Sequence, residues 1–105
     1  VKGDYYPDSW VIIKIKEIDL YQIIAGWSGG YATGDYERIN SGITHVEDAS
    51  RHWRFYGASG SCYVVRKKGY ATNMQMRRSV IYNQIKDHIE LLDKDTDWVN
   101  IKWET

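Results

Sequence analysis

Cysteine, proline and phenylalanine are almost missing from this sequence, with one of each in 105 residues. A lone cysteine, Cys62, excludes an intrachain disulfide, so small size is not offset by covalent staples and a reducing compartment is expected. Long apolar runs are missing too. No stretch approaches the roughly 20 apolar residues of a membrane-spanning helix. The start, Val1-Lys2-Gly3-Asp4, shows no signal-peptide pattern, and the expectation is a cytoplasmic protein without a membrane partner. His45, His52 and His88 share no metal-ligand spacing, and one cysteine does not complete a set with them. No metal and no cofactor is expected.

Acidic residues are absent from residues 49–86, although Arg51, Arg54, Arg66, Lys67, Lys68, Arg77, Arg78 and Lys86 all lie there. The chain carries fourteen basic and fourteen acidic residues, so the remainder holds six basic against fourteen acidic. If the basic block folds onto one face, that face attracts anions; otherwise the two parts neutralise each other across a subunit contact. Zero net charge argues against a long nucleic acid and leaves a small anionic ligand as the better fit.

What the chain has in abundance is amphipathic rings, five Trp and nine Tyr. Such side chains serve a core, an oligomer contact or a stacking site for a planar ligand. At this length there is one domain, residues 1–105, with one modest core.

Apolar alternation predicts strands over residues 9–16 and 20–27, the second apolar on both faces and therefore central. A Gly-rich loop, residues 26–34, follows. A third strand is expected over residues 36–39 and 42–47, bent at Asn40-Ser41-Gly42. Residues 52–56 and 61–66 read as a hairpin joined by Gly57-Ala58-Ser59-Gly60. Thr72 and Gln75 have capping-box spacing, and Ile81, Ile85, Ile89 and Leu92 continue a helical stripe. Residues 98–103 alternate again and predict a last strand. The fold class is mainly β (α+β): an antiparallel, partly closed sheet or SH3-like small barrel of about five to six strands, with one helix in the C-terminal half.

Two segments could carry chemistry. The loop Gly57-Ala58-Ser59-Gly60-Ser61 could aim backbone N–H groups and hydroxyls at a phosphate, though it lacks the P-loop pattern and also reads as a plain turn. The run Arg66-Lys67-Lys68-Gly69-Tyr70, with Arg77-Arg78 near the predicted helix start, mixes cations and rings as nucleotide sites do. Cys62 and His52 could pair as nucleophile and base if adjacent strands bring them together, but Cys62 sits in an apolar alternation that suits a buried side chain.

The motifs Asp4-Tyr5-Tyr6-Pro7-Asp8-Ser9-Trp10, Ala25-Gly26-Trp27-Ser28-Gly29-Gly30-Tyr31 and Arg38-Ile39-Asn40-Ser41-Gly42-Ile43 form a set with two others. These are Phe55-Tyr56-Gly57-Ala58-Ser59-Gly60-Ser61-Cys62-Tyr63 and Asp97-Trp98. The set resembles a family of small accessory proteins of tailed bacteriophages. That resemblance covers most of the chain and is weakest in the helix. It brings no activity to transfer, but it implies a setting: a viral protein in the host bacterial cytoplasm, of a kind that counters host defence. Where the family pattern often continues with a second Cys or His, this chain has Val65 and Arg66.

The leading expectation is a non-catalytic binder that sequesters a small anionic nucleotide-type immune signal. Its ligand-binding residues are expected to be Trp27, Tyr31, Arg38, Asn40, Ser59, Gly60, Ser61, Tyr63, Arg77 and Arg78, with no catalytic residue. One alternative is an inhibitor that binds a host bacterial protein, a defence enzyme, through its aromatic surface. Another is a small metal-independent nuclease or hydrolase using His and Arg. The ring content also suits a homo-oligomer.

Overall fold

The computed structural model describes residues 3–30 and 34–103, and their side chains except at residues 28–30, 34 and 35. Eight strands and two short helices are present among them: β1 (Asp4–Tyr5), β2 (Ser9–Ile15), β3 (Leu20–Gly30), β4 (Gly34–Ile39), β5 (Ile43–Ala49), β6 (His52–Gly57), β7 (Cys62–Arg66), α1 (Asn73–Arg78), α2 (Val80–Ile85) and β8 (Ile89–Leu91). They build two four-stranded sheets, one in the order β1-β7-β6-β5 and the other β4-β3-β2-β8. All the ladders are antiparallel except β1–β7. The chain is thus mainly β, as its alternation predicts, with two sheets and more strands than expected. No helix among the described residues is long and apolar enough to cross a membrane.

The expected bend at Asn40-Ser41-Gly42 is where the chain leaves one sheet for the other, so the predicted third strand is really two strands. Gly42 sits at φ 140°, and a side chain there would come within 3.0 Å of Leu20 Cδ1. Asn40 fastens the crossing to β3. Its N–H donates to the Ile23 carbonyl, its Oδ1 accepts from the Ile23 N–H at 2.9 Å, and its carbonyl accepts from Gln22 Nε2.

Between the sheets lies a ring-rich core of Trp10, Phe55, Tyr63, Trp98 and Trp103 with Ile12, Ile23, Ile43 and Val65. The other face of β2 and β3 buries Val11, Ile13 and Ile24 beneath Met76 and Ile89. β2 is therefore buried on both faces, which its run of apolar residues requires. Tyr70 packs against both cores; its hydroxyl donates to the Leu92 carbonyl and accepts from the Ile12 N–H.

The C-terminal third departs from its pattern. The capping box at Thr72 and Gln75 forms as spaced, with both reciprocal bonds made. The single long helix does not form. α1 stops at Arg78, Ser79 caps α2 anew by accepting from the Tyr82 N–H, and Ile89–Leu91 becomes the edge strand β8 against Ile13–Ile15 of β2. A bare edge on β2 gains three backbone pairings, and Ile89 still reaches an apolar core, so tertiary pairing overrides the helical spacing. Residues 98–103 are likewise no strand: a 3-10 turn, Trp98–Asn100, leads into unpaired extended chain, and both Trp98 and Trp103 are buried between the sheets.

Candidate functional site

The β3–β4 hairpin decides where a site can form. Pairing Trp27 with Tyr36 sets the two rings 5.4 Å apart at 47° to one another, and Gly26 pairs with Glu37 alongside. Strand β2 places Ser9 opposite Gly26, and α1 brings Gln75 and Arg78 over this corner. The result is a cleft of about 240 Å³ lined by Asp8, Ser9, Gly26, Trp27, Tyr36, Glu37, Gln75, Arg78 and Ser79. Gly26 lets the Ser9 side chain lie close against β3, because a Cβ there would stand 2.9 Å from Ser9 Oγ.

Trp27 is held from behind. Its Nε1 donates to the Tyr6 carbonyl at 3.1 Å and its ring meets Tyr5 edge-on at 6.3 Å. Tyr5 in turn stacks on Tyr63 at 4.9 Å and carries the Arg38 guanidinium at 4.7 Å from its ring centre. Hydrogen bonds with Tyr36 first, and then with Tyr63, strengthen the protonation of Arg38. Burial pushes the Tyr63 hydroxyl up, against the opposing pull of Arg38. Arg38 and Tyr63 thus support the aromatic wall from outside the cleft.

The cleft holds charges of both signs. Glu37 Oε1 accepts from the Val80 and Ile81 N–H groups at 2.9 and 3.1 Å, so this carboxylate caps α2 and occupies the anion-attracting end of that helix. Arg77 and Arg78 are the last two residues of α1, not members of the opening turns of a long helix. The helix dipole there favours the cations themselves rather than an added anion. Arg78 touches Met74 Sδ at 3.9 Å, and neither arginine has a carboxylate partner among the described residues.

The ten residues singled out by sequence therefore do not gather at one point. Trp27 and Arg78 line the cleft, Arg38 and Tyr63 brace its aromatic wall, and Arg77 lies beside it on α1. Tyr31 lies outside the described residues. Asn40, buried, is tied to β3.

Ser59, Gly60 and Ser61 belong to the β6–β7 turn, whose donors point inward. The N–H groups of Gly57, Ala58, Ser59 and Gly60 donate to Ser61 O, Gly42 O, Ser41 Oγ and Gly57 O, at 2.8, 2.8, 3.2 and 3.0 Å. Four consumed donors leave no nest for a phosphate, so the plain-turn reading describes this loop.

Sequence reasoning missed Tyr36, Glu37, Ser9 and Gln75. The signal for Tyr36 and Glu37 is the pairing of β4 with β3, which sets them opposite Trp27 and Gly26.

The basic block does not form one face either. Arg54 pairs with Asp4 and Glu47 at 3.6 and 3.8 Å, and Lys67 with Asp48 at 2.7 Å, because β1 and β5 bring acidic residues onto the sheet of β6 and β7. Cys62 and His52 stand at opposite ends of the β6–β7 ladder, paired with Tyr56 and Arg66, and do not meet. Burial pushes the Cys62 thiol up, away from the reactive thiolate. Among the described residues no three His, Cys, Asp or Glu side chains form a metal-binding group.

A second cleft, of about 320 Å³, opens among Ile18, Leu20, Ile43 and Trp103. Its one charged lining residue, Asp19, is already paired with Lys14 at 3.1 Å. Searches against models of known families, curated proteins and solved structures matched nothing to this chain.

Proposed function

We propose that this chain is a non-catalytic binding protein whose cleft between Trp27, Tyr36 and Arg78 takes a small nucleotide-type anion. One observation carries the reading: two rings and a guanidinium without a carboxylate partner among the described residues, 51 positions apart between Trp27 and Arg78, line the same small cleft. Rings offer stacking to a planar base whatever its sequence context, and a guanidinium binds phosphate through paired N–H donors. Ser9 and Gln75 supply polar groups suited to a sugar. Asp8 and Glu37 restrict how a ligand lies. Its phosphate belongs toward Arg78 and away from the two carboxylates.

The resemblance to bacteriophage accessory proteins supplies the context. In the host bacterial cytoplasm, such a binder would withhold a nucleotide immune signal from the enzyme it activates.

Native mass spectrometry with a panel of nucleotides, cyclic dinucleotides and ADP-ribose derivatives tests the reading. One ligand should be retained and then lost in both Trp27→Ala and Arg78→Ala. A chain that keeps its apo mass throughout the panel would overturn it and favour inhibition of a host protein.

A further inference from the structure

We propose that copies of this chain associate head to tail, the α1 face of one receiving the acidic segment, residues 87–97, of the next. The unbalanced charges point to it. Lys14, Arg54 and Lys67 each have a carboxylate partner within their own chain. Arg77 and Arg78 have none among the described residues, and Asp87, Asp93, Asp95 and Asp97 have no cation within ion-pair distance there, while Glu90 stands opposite Lys14 on β2. Residues 87–97 hold those five acids against one lysine, Lys94, and one histidine, His88. Charge of each sign is therefore left uncompensated even though the net charge is zero.

Each charged patch also carries uncovered apolar surface. Met74, Arg77 and Arg78 stand at helical spacings of three and four, so they share one face of α1. Met74 is 60% exposed and the adjoining Val80 is 64% exposed. On the acidic side Leu91 is 38% exposed, and Val99, just beyond, is 55% exposed. Exposed apolar side chains beside uncompensated charge are the makings of an interface, and the complementary surface is present on the same chain. Among the described residues no ion pair joins the two patches within one molecule. Because the patches differ, the contact is heterologous: it closes into a ring or continues as a chain of copies.

Sedimentation velocity on the full chain without nucleotide tests this. The sedimentation coefficient should rise with protein concentration at low salt. It should fall to the monomer value at about 1 M salt, where the Debye length is roughly 3 Å. Arg77→Glu, which leaves the cleft lining intact, and the double variant Asp93→Lys, Asp95→Lys should each remain monomeric with an unchanged circular dichroism spectrum. Mixing the two variants should restore association, because each reversed patch then meets its complement. A monomer at every concentration, association that both reversals leave intact, or no recovery on mixing would each overturn the proposal. None of these outcomes depends on whether the cleft binds a nucleotide.

Discussion

On one face of the sheet formed by β4, β3, β2 and β8 the contacts are ring on ring; on the other they are aliphatic. The inner face closes with Trp10, Phe55, Trp98 and Trp103, whose centroids lie 5.4–6.4 Å apart in tilted, edge-on and stacked pairs. The outer face closes with Val11, Ile13, Ile24, Met76 and Ile89, and α1 contributes one buried side chain to it, Met76. Large rings bury more area per residue and lock the two sheets together. A six-residue helix held by one buried methionine and by Asn83 Nδ2, which donates to the Met76 and Arg77 carbonyls, is a lighter attachment, and that helix supplies Gln75 and Arg78 to the cleft. The cleft therefore has a rigid aromatic wall on the sheet and a lightly fixed polar wall on α1. A ligand entering it would order the second wall against the first.

Substitutions in the two cores should break that contrast or sharpen it. Trp98→Ala should have the largest effect, a loss of about 3–5 kcal/mol read from a urea midpoint, since it empties the centre of the inter-sheet core. Met76→Ala should cost nearer 2 kcal/mol, at the low end for such truncations, and should weaken ligand retention more than its stability loss implies. Equal losses for the two variants would show that the helix layer is no weaker than the sandwich.

Tyr70 touches both cores, and its effect depends on pH. Its pKa is pushed up to about 12, chiefly by burial. A tyrosine in the unfolded chain titrates near 10. Below about pH 10 both states keep the proton and the stability is fully present. Between about pH 10 and 12 only the unfolded chain releases it, so stability falls as pH rises through that window. Tyr70→Phe should cost about 1 kcal/mol near neutrality, where it removes the bonds to Leu92 and Ile12, and should flatten the alkaline decline. Tyr63, also pushed up by burial, leaves part of that decline in place. An alkaline limb unchanged by Tyr70→Phe would remove Tyr70 as its source.

Thr72→Ala should have the smallest effect, about 0.5 kcal/mol, by unmaking the capping box. It should speed amide exchange in α1 while leaving near-ultraviolet circular dichroism, which reports the aromatic core, as it was. A matching change in both signals would mean that the two layers unfold as one unit.

Short-range rules read well from this sequence. Alternation locates β2, β3, β6 and β7, a Gly/Ser turn joins the last two, and spacing alone places the capping box at Thr72. These features depend on neighbours a few residues apart, and the backbone preferences of those residues decide them. The outcome at Ile89 could not be read the same way. Its place in a helical stripe and its place opposite Ile15 in a strand satisfy the same apolar side chain, and only the open edge of β2 chooses between them.

The site divides along the same line. From sequence come the abundance of rings, the zero net charge and the run of basic residues free of acids, and with them the expectation that Trp27 and Arg78 meet a planar anion. The fold decides that Trp27 and Arg78 line one cleft, that the donors of Ser59 and Gly60 turn inward, and that Arg54 and Lys67 spend their charge on Asp4, Glu47 and Asp48. The physical reason is range. Hydrogen-bond and charge partners are chosen by distance in space, and sheet pairing sets those distances between residues that sequence order keeps far apart.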